Sequence, residues 1–280
     1  WFRKYRDRKQ ERRNLYSIAA NSTSLFVLSY LFVYIFSLLV TSISGTFFEY
    51  SSTIYYYDIY FNIRGDQWYH DAVKVIYASA PIALLFTGTI LLIIFSYIRE
   101  DKGIYKMFFF WGFLHCYTMF FGGVLVGTMF GTGLGHAINW SYILDTGKMV
   151  YSIIAIAVFI LIGVLSSKSF LISANTYYNY LTGSVRSRFV WAQMVLPFII
   201  GNILMLVFRM PILKTYYIFV GVTMILVIIP AWVSTRFYPT MYFHEDPVSI
   251  KPSWKLLALA LSVYIIMRVI LGVGIPVDFT

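Results

Sequence analysis

Residues 108–140 read FFFWGFLHCYTMFFGGVLVGTMFGTGLGHAINW. The segment is apolar for longer than the roughly 20 residues a helix needs to cross a bilayer. Gly123, Gly127, Gly131 and Gly135 recur in it at every fourth position. On one continuous helix a row stepping by four winds slowly as an inclined groove, and small residues at that spacing let a neighbouring helix approach closely. The segment therefore predicts a central membrane helix with a glycine zipper on its surface. His115 and Cys116 stand one to two turns before the glycines.

The rest of the chain fits this reading. Of 280 residues 59% are hydrophobic and 12% charged, against about 25% charged in soluble domains. The apolar residues come in long runs broken by short charged segments, which predicts an all-α, polytopic helical bundle in a membrane. Seven spans are expected, at about 22–44, 72–98, 107–133, 149–164, 190–208, 215–233 and 254–274. The pair flanking Pro211 has a re-entrant hairpin as its alternative. Residues 1–21 are expected to form a basic juxtamembrane segment and 275–280 a short tail. Gly45 to Asp71 is expected to be an aromatic loop, with a strand or interfacial segment at 53–63. Ser166 to Phe189 is expected to be a second loop. Pro81 predicts a bend in the second span. The run after Asn21 is too long for a secretory signal core and lacks a small-residue cleavage site.

Orientation follows from the Lys and Arg residues on alternate sides. One side carries the N-terminal cluster Arg3, Lys4, Arg6, Arg8, Lys9, Arg12 and Arg13, together with Arg99, Lys102, Lys106, Lys168, Arg186, Arg188, Arg236, Lys251 and Lys255. The other side has only Arg64, Lys74, Lys148, Arg209, Lys214 and Arg268. This predicts a cytoplasmic N terminus and an outer C terminus in a cytoplasmic-type (inner or plasma) membrane. The N-terminal cluster is expected to contact anionic lipid. The net charge of +10 is accounted for by these flanks, so nucleic acid is not an expected partner.

Every Asp and Glu falls in a loop or terminus, and this lowers the expectation of ion-coupled transport. His115 is the ionisable side chain deepest in a span. With Cys116, Gln193 and Asn202 it makes a candidate intramembrane polar site, most simply a structural histidine hydrogen-bonded to Gln193, Asn202 or a tyrosine. Adjacent helical residues point about 100° apart, so His115 and Cys116 do not readily grip one metal. Asp66, His70, Asp71, His136 and Asp145 form a candidate outer cluster with the ligand types of a zinc site but without a diagnostic spacing. His244-Glu245 lacks the second histidine of a zinc-protease helix, and Gly131–Gly135 lacks the strand–turn–helix setting of a dinucleotide fingerprint. Cys116 is the single cysteine, so no disulfide forms within the chain.

These residues favour a non-enzymatic subunit or scaffold of a larger membrane complex, with other membrane proteins as partners and no cofactor. The alternatives are a permease or channel for a small solute and an intramembrane enzyme dependent on a metal, haem or other cofactor.

Overall fold

The structure, a computed structural model, describes residues 2–101, 103–243 and 250–278, with side chains from residue 10 onward in the first helix. Lys102 and the His244-Glu245 segment lie outside the described residues, as do the side chains of Arg3, Lys4, Arg6, Arg8 and Lys9.

Seven helical segments are long and apolar enough to cross a membrane: Gln10–Thr46, His70–Ile98, Lys106–Phe130, Asp145–Thr176, Gly183–Arg209, Thr215–Thr235 and Trp254–Val273. The chain is an integral membrane protein of the helical class. The first span belongs to α1 (Phe2–Thr46) and the second is α2 (His70–Ile98). The third joins α3 (Lys106–Tyr117) to α4 (Gly123–Phe130) through a π-helical turn at Thr118–Gly122. After the short α5 (Leu134–Trp140), the fourth span follows in α6 (Asp145–Ile172). The fifth joins α7 (Gly183–Val190) to α8 (Leu196–Arg209) through a π-turn at Trp191–Val195. The sixth is α9 (Thr215–Thr223) followed by α10 (Ile225–Thr235), and the seventh is α11 (Trp254–Val273).

Several sequence expectations need correction. Helix α1 runs unbroken from Phe2 through the basic segment into the first span. Residues 166–189 are not one loop, because α6 continues to Ile172 and α7 begins at Gly183. Ser167 Oγ bonds the carbonyl of Val164 at 2.6 Å and Ser173 Oγ that of Phe170 at 2.6 Å; both serines thus satisfy their own hydroxyls against the helix that carries them. The 27 residues of Gly183–Arg209 and the 21 of Thr215–Thr235 span about 40 and 31 Å at 1.5 Å per residue. Both are long enough for a full crossing.

Strands mark the two ends of the bundle. In the loop after α1, β1 (Ser52–Ile54) pairs antiparallel with β2 (Ile59–Phe61), and the chain's final strand β5 (Ile275–Val277) pairs with the free edge of β1. The ends of the first and last spans therefore meet at one end of the molecule, the sheet end. At the opposite end β3 (Tyr180–Leu181) pairs with β4 (Met241–Tyr242). The core is centred on α1 and α3, where Phe26, Phe110 and Trp111 are fully buried together with Phe170 of α6 and Phe189 of α7.

Candidate functional site

The glycine row does not lie on one helix. Helix α4 stops at Phe130, capped by Gly131 at φ +67° with its amide bonded to the carbonyl of Gly127 at 2.8 Å. Gly133, at φ +57°, turns the chain back. Left-handed backbone at both positions is what glycine tolerates without steric cost. Helix α5 then packs against α4, with Gly127 facing Gly135: a Cβ on Gly127 would lie 2.6 Å from the Gly135 amide nitrogen, and one on Gly135 would overlap the Gly127 carbonyl. A Cβ on Gly123 would lie 2.9 Å from Tyr216 Oη, and one on Gly133 would strike the Tyr216 ring. The expected zipper is thus filled by the chain's own α5 and Tyr216. Sequence spacing cannot register this, because the break at residues 131–133 changes which glycines face each other.

That hairpin forms one wall of a cavity of about 680 Å³. Other walls come from Ser37, Leu38 and Thr41 of α1, from Tyr77, Ala80, Pro81 and Leu84 of α2, and from Tyr216, Tyr217 and Val220 of α9. Asp58, Thr132 and Lys214, from the connections at the sheet end, and Ile59 of β2 line it there. Its floor includes Met119, eleven residues before the end of the third span. At 1.5 Å per residue that is about 16 Å of depth, near half of a bilayer core of about 30 Å. Pro81 has no N–H, so the carbonyl of Tyr77 loses its helical partner beside this cavity.

The charges around the vestibule cancel. Lys214 Nζ lies 3.2 Å from Asp58 Oδ2, and Asp58 Oδ1 accepts from the Ile59 amide at 2.9 Å. His136 packs on Tyr77 with ring centroids 4.7 Å apart, and burial pushes its pKa down from the ordinary 6.5. At neutral pH the imidazole is uncharged.

Behind the tyrosine wall stands Arg209, which the sequence reading assigns to a turn between spans. Its side chain ends α8 but is only 3% exposed. Nη2 donates to Tyr30 Oη at 2.7 Å, and the guanidinium carbon lies 3.9 Å from the Tyr217 ring centroid and 4.5 Å from that of Tyr34. Tyr34 Oη in turn donates to the carbonyl of Tyr56 at 3.0 Å, tying the cage to the sheet-end loop. Buried Nε has no partner among the described residues. Ring faces attract a desolvated cation by about 2 kcal/mol, and a planar guanidinium suits such stacking better than a lysine ammonium. The signal available in the sequence was the tyrosine pairs at 216–217 and at 30 and 34, spaced by one helical turn.

The intramembrane polar site assembles in part. His115 Nε2 donates to the Phe26 carbonyl at 3.2 Å, because a carbonyl has no proton to give. The ring packs edge-on against Phe26 and Tyr30, with centroids 4.4 and 5.2 Å away. Asn202 shares a small cavity with His115, and its Nδ2 donates to the Phe198 carbonyl at 2.8 Å. Cys116 is buried toward α2, where a Cβ on Gly88 would come within 2.8 Å of it. Gln193 lies in the other π-turn, its Nε2 3.5 Å from Ser173 Oγ and its buried Oε1 unpartnered among the described residues. His115 thus bonds the Phe26 carbonyl rather than Gln193, Asn202 or a tyrosine; Asn202 and Tyr30 line the same small cavity, and Cys116 and Gln193 lie elsewhere.

The expected sheet-end cluster does not converge. His70 Nδ1 is 3.5 Å from Asp71 Oδ1, Lys74 Nζ is 3.0 Å from the same oxygen, and the His70 ring stacks on Tyr142 at 5.2 Å. Asp145 pairs with Lys148 at 3.2 Å, His136 lies on Tyr77, and Asp66 is exposed in a single 3₁₀ turn. Among the described residues no three His, Cys, Asp or Glu side chains gather as a metal-binding group. Each of these two histidines packs on a tyrosine ring instead, His70 on Tyr142 and His136 on Tyr77 of α2.

Comparison with protein-family models, curated proteins and solved structures finds no match. The site's own geometry carries the functional reading.

Proposed function

We propose that this chain is a permease for a small neutral or zwitterionic solute, loaded through the vestibule at the sheet end. The observation that carries the reading is the 680 Å³ cavity whose floor at Met119 lies about half-way across the bundle. Ligand sites are concave, largely apolar and furnished with a few convergent polar groups; here those are Asp58, Lys214, His136, Tyr77 and Tyr216. A site in which Asp58 cancels Lys214 and His136 is uncharged has no net attraction for a simple ion. It offers one anionic and one cationic partner to a molecule carrying both signs. The two π-turns in the third and fifth spans add to the reading, since such turns recur at functional positions.

With the N terminus cytoplasmic, as the distribution of basic residues favours, the vestibule faces outward. Arg12 and Arg13 are then exposed at the inner end of α1, where they meet anionic lipid together with Arg3, Lys4, Arg6, Arg8 and Lys9. The membrane is a cytoplasmic-type one in this reading. The second reading, a subunit of a larger membrane assembly, is favoured by α11. Apolar clefts of about 600 and 630 Å³ flank it, one lined with α1 and α3 and the other with α1 and α8.

The test combines access and binding. In a Cys116→Ser background, Ser37→Cys should react with a membrane-impermeant thiosulfonate added at the sheet end. Amino acids and monosaccharides are then screened by thermal shift, and Asp58→Asn and Lys214→Gln should each abolish the shift found. A Ser37→Cys thiol as unreactive as Cys116 sinks the vestibule reading and leaves the assembly reading in its place.

A further inference from the structure

Next to the vestibule, and more closed than it, lies a second, small cavity of about 20 Å³, lined among others by Tyr30, His115, Thr118 and Asn202. Met119, Tyr217 and Val220 line both cavities and separate them. A cavity needs about 10–15 Å³ by this kind of measure to hold one water, which in turn needs two to four polar partners. The inner cavity meets both conditions. Thr118 Oγ1 is fully buried and has no hydrogen-bond partner among the described residues. Asn202 uses Nδ2 on the Phe198 carbonyl, and Gly221 leaves room for its Oδ1, which a Cβ there would approach to 2.8 Å. Tyr30 Oη accepts from Arg209 and keeps its own proton to donate. The Arg209 charge on Tyr30 disfavours a metal cation in the same space.

The backbone at this point departs from the regular α-helix. Thr118 and Met119 begin the π-turn Thr118–Gly122, where a wide turn interrupts the regular α-helical ladder. Gly122 packs so closely on α9 that a Cβ there would overlap Thr223 Oγ1. A shift of the π-turn therefore moves Met119 relative to Tyr217 and Val220.

We infer that the inner cavity is an occluded water site on the path of the vestibule, and that Met119, Tyr217 and Val220 form the septum closing it. The inference rests on the vestibule reading above and gives it a next step, in which the route continues past Met119 toward His115 and Asn202.

The experiment uses the silver ion, a thiol reagent about the size of a water molecule, on the full-length protein in liposomes. In the Cys116→Ser background, Ser37→Cys reports the vestibule and Thr118→Cys the inner cavity, and thiols left free are counted with a maleimide after denaturation. Thr118→Cys should be protected and should react at least tenfold faster when combined with Met119→Ala. Equal rates with and without Met119→Ala overturn the septum. An unreactive Ser37→Cys overturns the vestibule itself, so the two failures are distinguishable. Thr118→Val tests the water independently of Met119. A hydroxyl bonded to water is lost at a cost and the melting temperature falls; a rise would mean that the hydroxyl sits unpaired in a dry site and would overturn the water site.

Discussion

The two ends of the bundle each bury a cation, and they treat it differently. At the end opposite the sheet Lys106 is 4% exposed. Its three N–H donors are matched by three oxygens: the carbonyls of Arg99 at 2.8 Å and Asp101 at 2.9 Å, and Asn175 Oδ1 at 2.5 Å. Asn175 Nδ2 donates to the Glu100 carbonyl and Thr176 Oγ1 to that of Gly103, so the turn between α2 and α3 is clamped onto the end of α6. At the sheet end Arg209 has five N–H donors. The described side-chain bond is the one to Tyr30, tyrosine faces supply the remaining contact, and Nε is unpartnered. A cation with every donor satisfied locks its neighbours in place. One held by ring faces permits small rearrangements, because cation–π attraction depends weakly on angle compared with a hydrogen bond. The contrast assigns a fixed end and an adaptable end to the same bundle, with the vestibule at the adaptable one.

The largest expected effect tests the fixed end. Lys106→Met strands the buried Asn175 Oδ1 and two part-buried carbonyls and should cost about 4 kcal/mol of stability, since hydrogen bonds to charged groups are worth about 1.5–3 kcal/mol each and are not additive. Denaturant titration in mild detergent measures this, while Ser37→Cys accessibility should stay as it was. A change in vestibule access would break the division between the ends. Gly127→Leu comes next. Its side chain meets the backbone of Gly135 rather than a side chain that can turn away, so it should destabilise by about 3 kcal/mol and displace α5. Accessibility at Ser37→Cys should then change as well.

Arg209→Gln removes the cation from the tyrosine cage and should cost about 2 kcal/mol. Its sharper signature is functional: with Tyr30 and Tyr217 no longer held, reaction at Thr118→Cys should accelerate. If Arg209→Gln costs as much as Lys106→Met and leaves that rate unchanged, both cations are structural and the contrast fails. The smallest effect is the pH dependence of His136. Burial lowers its folded-state pKa below the ordinary 6.5, so the unfolded chain binds the proton more readily. The contribution is complete above about pH 6.5 and is lost as pH falls toward and through the lowered folded value. The melting temperature should therefore drop on acidification below that point, and His136→Asn should flatten the dependence. An unchanged slope would place the titrating group elsewhere.

The same contrast explains what could be read from residues alone. The positions of the spans follow from apolar runs, because crossing a bilayer demands about 20 apolar residues whatever the neighbours are. Helix ends were less legible: α6 and α7 both extend into the expected 166–189 loop, and at the α6 end Ser167 and Ser173 bond carbonyls of their own helix. The glycine row was visible, but not its partner. Gly127 faces Gly135 only because Gly131 and Gly133 take left-handed backbone between them. Of the expected polar site, His115 and Asn202 line one small cavity while Cys116 and Gln193 lie elsewhere. Each π-turn shifts helical register, and a sequence read at 3.6 residues per turn does not carry that shift.

Sequence alone thus determined the helical membrane class and the seven segments long and apolar enough to span, since these depend on how each segment partitions between lipid and water. Tertiary structure decided that α5 fills the glycine groove, that Arg209 is buried at the end of α8, and that Asp58, His136 and Lys214 line one cavity. Those facts depend on contacts between segments far apart in the chain, and close packing lets only one set of such contacts form at a time.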